Sequence, residues 1–282
     1  MKPLRILHLF SNWKWTGPAE PAVLLAAEQK RAGHDVSFAC GRPVEGCDND
    51  VALQAVARGL EPIEGLRLSK HRNVIANLHD QRRLGPMLRD GAYDILHVHQ
   101  PNDHLVGGAV ARRASPDTRV VRVFYDGELP ATSRLNRRLF GRLMDGLVVF
   151  GFGMEEGFVD AFDVPRDRIL RADPPSDLTR FDPDRNLPDM REVLGIAPDD
   201  VVIGIVARIQ KHRRYEILFD AFARAIEQAP KLRLLIVGRG THQDELARNP
   251  AEREALAGRV TLSGYLRDEQ YVGALAAMDA KV

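Results

Sequence analysis

The sequence is short of cysteine, of charge of one sign and of long apolar runs, and each shortage excludes something. Only two cysteines occur, Cys40 and Cys47, with no C-x-x-C pair. That removes a disulfide framework and the common zinc signatures, and it fits a reducing cytoplasm. Forty Lys plus Arg stand against 39 Asp plus Glu, a net charge of +1. A global basic footprint for nucleic acid is therefore missing, and any anion site must be local. No run approaches the ~18–20 apolar residues that span a bilayer, and the opening ILHLF stretch is too short for a signal peptide. A cytoplasmic chain is expected, with peripheral contact at the inner face of a membrane left open. H-E-x-x-H, G-x-S-x-G, the P-loop and the full G-x-G-x-x-G fingerprint do not occur. Asp182-Pro-Asp184 has a D-x-D pattern, but within a proline-rich stretch rather than at a strand end. No metal and no cofactor is expected.

What is present is an alternation of short apolar runs with longer amphipathic stretches, the mark of a parallel α/β sheet. Strands are expected at 5–10, 35–40, 93–99, 119–124, 146–150 and 168–172. Helices fall between them, the first starting between Pro18 and Pro21 and ending at Gly33. These make a first doubly wound domain over 1–172. The stretch 173–188 carries four prolines and no periodicity and reads as a linker. Over 189–282 the alternation restarts, with strands at 201–206, 232–237 and 259–264 and helices near 189–194, 215–228, 243–257 and 268–277. The closing AKV looks like the start of another strand. A full doubly wound domain has about six strands, so the second domain is expected to be incomplete, with an open apolar edge available for oligomerisation.

Four constellations sit where chemistry is expected. The loop FSNWKWTGPAEP (10–21) puts Gly17 between a strand and a helix, where backbone N–H groups approach an anion, or where the chain simply turns. Trp13 and Trp15 in that loop suit stacking on a sugar or packing on a neighbouring loop. The strand ends HVHQPND and VFYDGE project His99, Asn102, Tyr125, Asp126 and Glu128 beyond the sheet, where open α/β sheets bind ligands; His97 reads as a packed, satisfied strand residue. IVARIQKHRRYEILFDAF gathers Arg208, Lys211, His212, Arg213 and Arg214 at one strand-to-helix junction. Arg208 and Arg213 there form a candidate diphosphate clamp, because guanidinium offers forked donors and a helix N-terminus adds partial positive charge. IVGRGTHQDEL places Gly238 and Gly240 for close backbone approach to a ligand, and LSGYL places Tyr265 and Leu266 one strand later.

The order and spacing of five blocks resemble the family-4 glycosyltransferases of the GT-B fold. RILHLFSNWKWTGPAEPAVLLAAEQKRAGHDVSFAC is similar to the family's opening strand, glycine loop and R-x-x-G-H-x-V ending. YDILHVHQP is similar to its D-h-h-H-h-H strand, and RILRADPPSDLTRFDP to its P-N-G-V-D-x-x-x-F linker. VIGIVARIQKHRRYEILFDAF and LRLLIVGRGTHQDEL resemble its G-R-L-x-x-x-K-G and h-h-h-h-G-x-G blocks. The resemblance implies two Rossmann-like doubly wound domains and transfer of a sugar from a nucleotide-diphosphate sugar to a glycan, lipid or small-molecule acceptor. It further implies retention of configuration without metal, with acceptors on the first domain and donors on the second. Carried across, Gly17 approaches the donor phosphate, Arg208 is the clamp arginine, the family lysine falls on Arg213 because its spacing to Phe222 is kept, and Leu266 cradles the base. The sequence departs at Gly17-Pro18, where the family has two glycines, and at Tyr125-Asp126, where it often has a histidine. The family's E-x7-E block falls beyond Val282, so impaired transfer is expected of this chain. A sugar-nucleotide epimerase of the same fold, which needs acid/base carboxylates, and a non-catalytic binding or assembly fragment are the alternatives.

Overall fold

The computed structural model describes residues 2–182 and 184–282; Pro183, in the middle of the D-x-D pattern, lies outside them. The chain divides into two compact units, one up to Ser176 and the other from Asp177 onward. Each is built on its own parallel sheet.

In the first unit β1 (Arg5–Phe10), β2 (Asp35–Cys40), β3 (Ile95–Val98), β4 (Arg119–Phe124), β5 (Gly146–Val149) and β6 (Ile169–Arg171) pair in the order β2-β1-β3-β4-β5-β6. Helices α1 (Ala19–Arg31), α2 (Asp50–Ala57), α3 (Val74–Gly91), α4 (Pro101–Ala114), α5 (Arg134–Arg142) and α6 (Met154–Phe162) connect them. Side chains alternate across a strand, which sorts the core. Leu7, Leu9, Leu96 and Val98 enter the larger apolar cluster. On the other face Phe10 packs with α1 residues such as Val23 and Ala26. The winding direction reverses between β1 and β3, and the carboxyl end of such a reversal is where open α/β sheets hold ligands.

One boundary differs from expectation for a physical reason, and one holds. The sequence reads as a helix near 103–113, but helix α4 begins at Pro101, because proline suits the first helical turn and Asp103 accepts the Gln100 N–H in a capping box. The first helix ends as expected: Gly33 has φ +90, a left-handed conformation that glycine adopts without strain.

The second unit holds α7 (Met190–Val193), β7 (Val201–Val206), α8 (Tyr215–Gln228), β8 (Leu232–Val237), α9 (Gln243–Glu252), β9 (Val260–Gly264), α10 (Asp268–Ala276) and β10 (Ala280–Lys281). Its sheet runs β10-β7-β8-β9. The final residues do form a strand, with Ala280 opposite Ile203 and Lys281 opposite Gly204, so the direction reverses beside β7. Helix α9 stops at Glu252 and a 3-10 turn over Glu254–Leu256 replaces its expected last turn. Among the described residues no helix is long and apolar enough to cross a membrane.

Candidate active site

The carboxyl ends of β1 and β3 are tied together by one carboxylate. Asp103 is fully buried and accepts from the backbone N–H groups of Ser11 (2.9 Å), His99 (3.0 Å) and Gln100 (2.7 Å). Burial pushes its pKa up to about 6, against the pull of those hydrogen bonds and of Arg122. Arg122 itself is buried on β4, its Nη1 reaching the Val98 carbonyl at 3.5 Å and its Nε without a partner among the described residues. Burial lowers its pKa, while Asp103, Tyr125 and Asp126 hold it charged. The strand ends thus carry a fixed internal positive charge that the sequence reading missed.

Beneath them lies a hydrogen-bonded row of neutral side chains. Gln29 Oε1 on α1 is 2.8 Å from His8 Nε2, His8 Nδ1 is 3.0 Å from His99 Nε2, and His99 Nδ1 is 2.6 Å from the Tyr125 hydroxyl. Burial, first of all, drives the pKa of His8 and of His99 well below its ordinary value, so both rings are neutral. A neutral ring has one donor and one acceptor. With the Gln29 oxygen accepting from His8, each tautomer follows in turn, and Tyr125 donates its proton to His99. His97 stacks on His8 with centroids 4.8 Å apart and planes at 4°, and its pKa falls to about 4 by burial. It is packed, yet not satisfied: its Nδ1 has no partner among the described residues. His8, His97 and His99 bring ligand atoms within 4.8 Å of one another. Their rings stack at 4°, 17° and 21°, so lone pairs run side by side, and two of the nitrogens are committed to each other. The cluster is built as a stack, without the convergence a tetrahedral site requires.

The other expected residues of this unit divide. Gly17 is exposed at the start of α1, and a Cβ there would meet nothing within 4 Å. Asp126 is exposed beyond β4. Trp13 is half-buried under the Lys14 ammonium, 4.8 Å from its ring. Trp15 instead packs on the α1 cluster with the Arg58 guanidinium 5.6 Å over its ring. Asn102 is buried and consumed internally, donating to the Ser69 carbonyl and exchanging hydrogen bonds with Asn77. Trp15 and Asn102 therefore hold the fold, where ligand contact was expected.

In the second unit the loop after β7 is laced to the loop after β8. Ala207 N–H donates to the Val237 carbonyl and Ile209 N–H to the Arg239 carbonyl, at 3.1 and 3.2 Å. Arg208 lies between these two anchors with its side chain exposed. The lacing corrects the reading of Gly238 and Gly240. A Cβ on Gly238 would fall on the Ala207 carbonyl oxygen and one on Gly240 on the Ile209 carbonyl oxygen. The close approach these glycines permit is between two loops of the protein, and it presents Arg208.

A 3-10 turn over Lys211–Arg213 leads to α8, entered through Arg214 at φ +54 with no side-chain cap on the helix. Arg214 Nε is bound to Glu216 at 2.6 Å. Arg208, Lys211 and Arg213 have no carboxylate partner among the described residues, and the same holds for Arg239 after β8 and Arg267 after β9. Arg239 and Arg267 lie 4.6 and 5.5 Å from the Tyr265 ring. Tyr265 is thus exposed as an arginine-stacked ring, while Leu266 packs into the apolar layer beneath. Beside the cations a cavity of about 270 Å³ is lined by Lys211, Tyr215, Phe219 and His242 among others, and the Tyr215 hydroxyl is buried without a partner among the described residues.

The profile described as Glycosyltransferase Family 4 matches residues 17–180, and that of Glycosyl transferases group 1 matches residues 187–282. The chain belongs to Glycosyltransferase Family 4. A D-inositol 3-phosphate glycosyltransferase of Nocardia farcinica is 39% identical over 83 residues, which span 28% of this chain and only 18% of that relative. A Rickettsia africae glycosyltransferase superposes with a TM-score of 0.77 at 13% identity, covering 100% of this chain and 73% of its own. Anabaena HepE in complex with UDP gives a TM-score of 0.77 at 17% identity, covering 99% and 73%. Identities this low show the fold, which is GT-B.

In this Family 4 member, the residues singled out from the sequence include Arg208, Arg213, Gly17 and Tyr125, whereas Asp103, Arg122, Arg239 and Arg267, which the structure places at the same strand ends, were not singled out. A signal existed for three of these. Asp103 follows Pro101 by two positions in a helix start, Arg239 lies between two glycines, and Arg267 follows the β9 turn. Arg122 gave none, since one charge inside RVVRVF reads as a solvated strand residue.

Proposed function

We propose that the chain is a glycosyltransferase that moves a sugar from a nucleotide-diphosphate sugar to an acceptor, with retention and without a metal. The observation that carries this reading is the gathering of five cations with no carboxylate partner among the described residues, Arg208, Lys211, Arg213, Arg239 and Arg267, at the carboxyl ends of β7, β8 and β9. Cations kept unpaired and pre-positioned stabilise charge as it develops, because no reorganisation is needed at the moment of reaction. A departing diphosphate is such a charge. As the anomeric C–O bond breaks, its electron pair passes to the diphosphate, and guanidinium forks supply the compensation a divalent ion supplies elsewhere.

On this reading the unit from Asp177 onward takes the donor and the unit up to Ser176 takes the acceptor. Uridine diphosphate is the first nucleotide to test, because HepE is named in complex with UDP. Tyr125 and Asp126 would face the reacting sugar. The absence of a spanning helix among the described residues is compatible with work in the cytoplasm, at or away from the inner membrane face.

The test is calorimetric titration with UDP, ADP and GDP of the wild-type chain and of Arg208→Ala. One nucleotide should bind, and Arg208→Ala should weaken it at least tenfold. In a version that turns over, the same change should lower kcat more than acceptor affinity. No binding of any nucleotide, or equal binding by the variant, refutes the assignment.

A further inference from the structure

A second concentration of unpaired positive charge lies wholly in the first unit, at the edge of the sheet beside β2. A cavity of about 680 Å³ opens there, within the size range of small-ligand sites. Three arginines line it from three separate elements: Arg42 just after β2, Arg67 in the loop before α3, and Arg83 on α3 one turn beyond His79. None of the three has a carboxylate partner among the described residues. The nearby Asp80 cannot serve, being buried and occupied by the backbone N–H groups of Arg67 (2.7 Å) and Leu68 (2.9 Å) and by His79 Nδ1 (3.1 Å).

The cavity is held rigidly. Asp80 pins the loop that carries Arg67, and the Arg42 N–H donates to the Arg67 carbonyl at 3.0 Å. Leu68 is buried at φ +40, a conformation costly for a branched side chain and kept only where surroundings impose it. A Cβ on Gly41 would lie 2.8 Å from the Leu68 carbonyl, and one on Gly65 would lie 3.0 Å from Arg83 Nη1. The lining also includes the apolar residues Val56, Ile63 and Leu66. Cys40 lines the cavity too, but burial pushes its pKa up to about 11, so the thiol is protonated and unsuited to nucleophilic work.

Charge decides the ligand class. Three arginines against one wall carboxylate, Glu64, leave a local charge of two positives. A phosphate monoester carries about −1.5 to −2 near neutral pH and balances it; a carboxylate leaves half uncompensated. The apolar lining residues suit the carbon skeleton of a sugar or polyol. We infer that this cavity binds a phosphorylated sugar or polyol through Arg42, Arg67 and Arg83. Resting on the glycosyl-transfer reading, this ligand is the acceptor.

The experiment titrates the whole chain with glucose 6-phosphate, myo-inositol 1-phosphate and glycerol 3-phosphate, with glucose, glucuronate and inorganic phosphate as controls. At least one of the phosphate esters should bind tenfold tighter than every control. Arg42→Gln and Arg83→Gln, both at exposed positions, should each weaken it at least tenfold and leave the UDP response unchanged. Arg83→Lys should recover part of the loss, which separates charge from folding. Failure of all three esters to bind, binding indifferent to the arginines, or inorganic phosphate binding as tightly overturns the inference. The two readings separate cleanly. Ester binding without nucleotide binding removes the donor assignment and leaves the cavity standing, whereas nucleotide binding alone removes the cavity.

Discussion

The Tyr125 hydroxyl lies 2.6 Å from Nδ1 of His99, a ring whose other nitrogen is bound to His8 inside the sheet. The phenol at the end of β4 is therefore oriented from α1, through Gln29, His8 and His99. Tyr125→Phe removes only the oxygen and leaves His99 Nδ1 buried with no donor. An orphaned buried polar group costs about 1–3 kcal/mol, and urea unfolding of the variant should show a loss in that range. An unchanged midpoint would mean that the tyrosine does not hold the histidine.

The same burial makes the fold acid-sensitive. His8, His97, His99 and His104 are buried with lowered pKa values, to about 4 for His97 and about 3 for His104, and desolvation is the first cause in each. Their unfolded forms titrate near 6.5. Below that pH the unfolded chain binds protons that the folded chain refuses, so stability present above pH 6.5 is lost as pH falls toward 4. Asp103 opposes them. Its folded pKa, raised to about 6, lets the folded chain take a proton that the unfolded carboxyl takes only near 3.8. The net difference is about three protons, or about 4 kcal/mol per pH unit between pH 6 and 5. Thermal unfolding at pH 7.5 and 5.5 reads this directly, and a flat profile contradicts it.

The sequence exposes strands, helices and the division of the chain because period and punctuation are local. Strand β7 at 201–206, strand β8 at 232–237 and helix α8 at 215–228 were legible to the residue. The exposure of candidate site residues was legible only where a residue type implies it, as with Arg208 and Arg213. Asn102 and Trp15 carry the right chemistry and sit at the right loops, yet are consumed by Asn77 and by the α1 cluster, partners distant in sequence. Gly238 and Gly240 were recognised as close-approach positions, but a sequence does not say what approaches. Arg122 was invisible because its burial depends on packing across three strands.

The two kinds of glycine part under substitution. Gly17→Ala introduces a Cβ into open space and should leave the unfolding midpoint within about 0.5 kcal/mol. Its effect should appear as weakened nucleotide-sugar binding if a phosphate packs on that backbone. Gly238→Ala forces a methyl onto the Ala207 carbonyl at a φ of +144 and should destabilise the second unit by several kcal/mol. Measured by denaturant unfolding, equal effects at the two positions would remove the distinction drawn between ligand-facing and loop-facing glycine.

The clamp makes its own prediction through Arg213 and its neighbour. Arg213 is exposed without a carboxylate partner among the described residues, whereas Arg214 is tied to Glu216 at 2.6 Å. If the pair Arg208 and Arg213 grips a diphosphate, Arg213→Gln should weaken UDP binding about tenfold or more, the value of a charge-assisted contact. Arg213→Lys keeps the charge but replaces the planar fork with a point donor, so the loss should shrink to about threefold. Arg214→Gln, already neutralised by its glutamate, should change affinity little. The three affinities should also respond differently to salt, since only a contact that meets the phosphate charge contributes to screening by added ions. A series in which Arg214→Gln proves as damaging as Arg213→Gln would show that the whole turn acts as an unspecific basic patch.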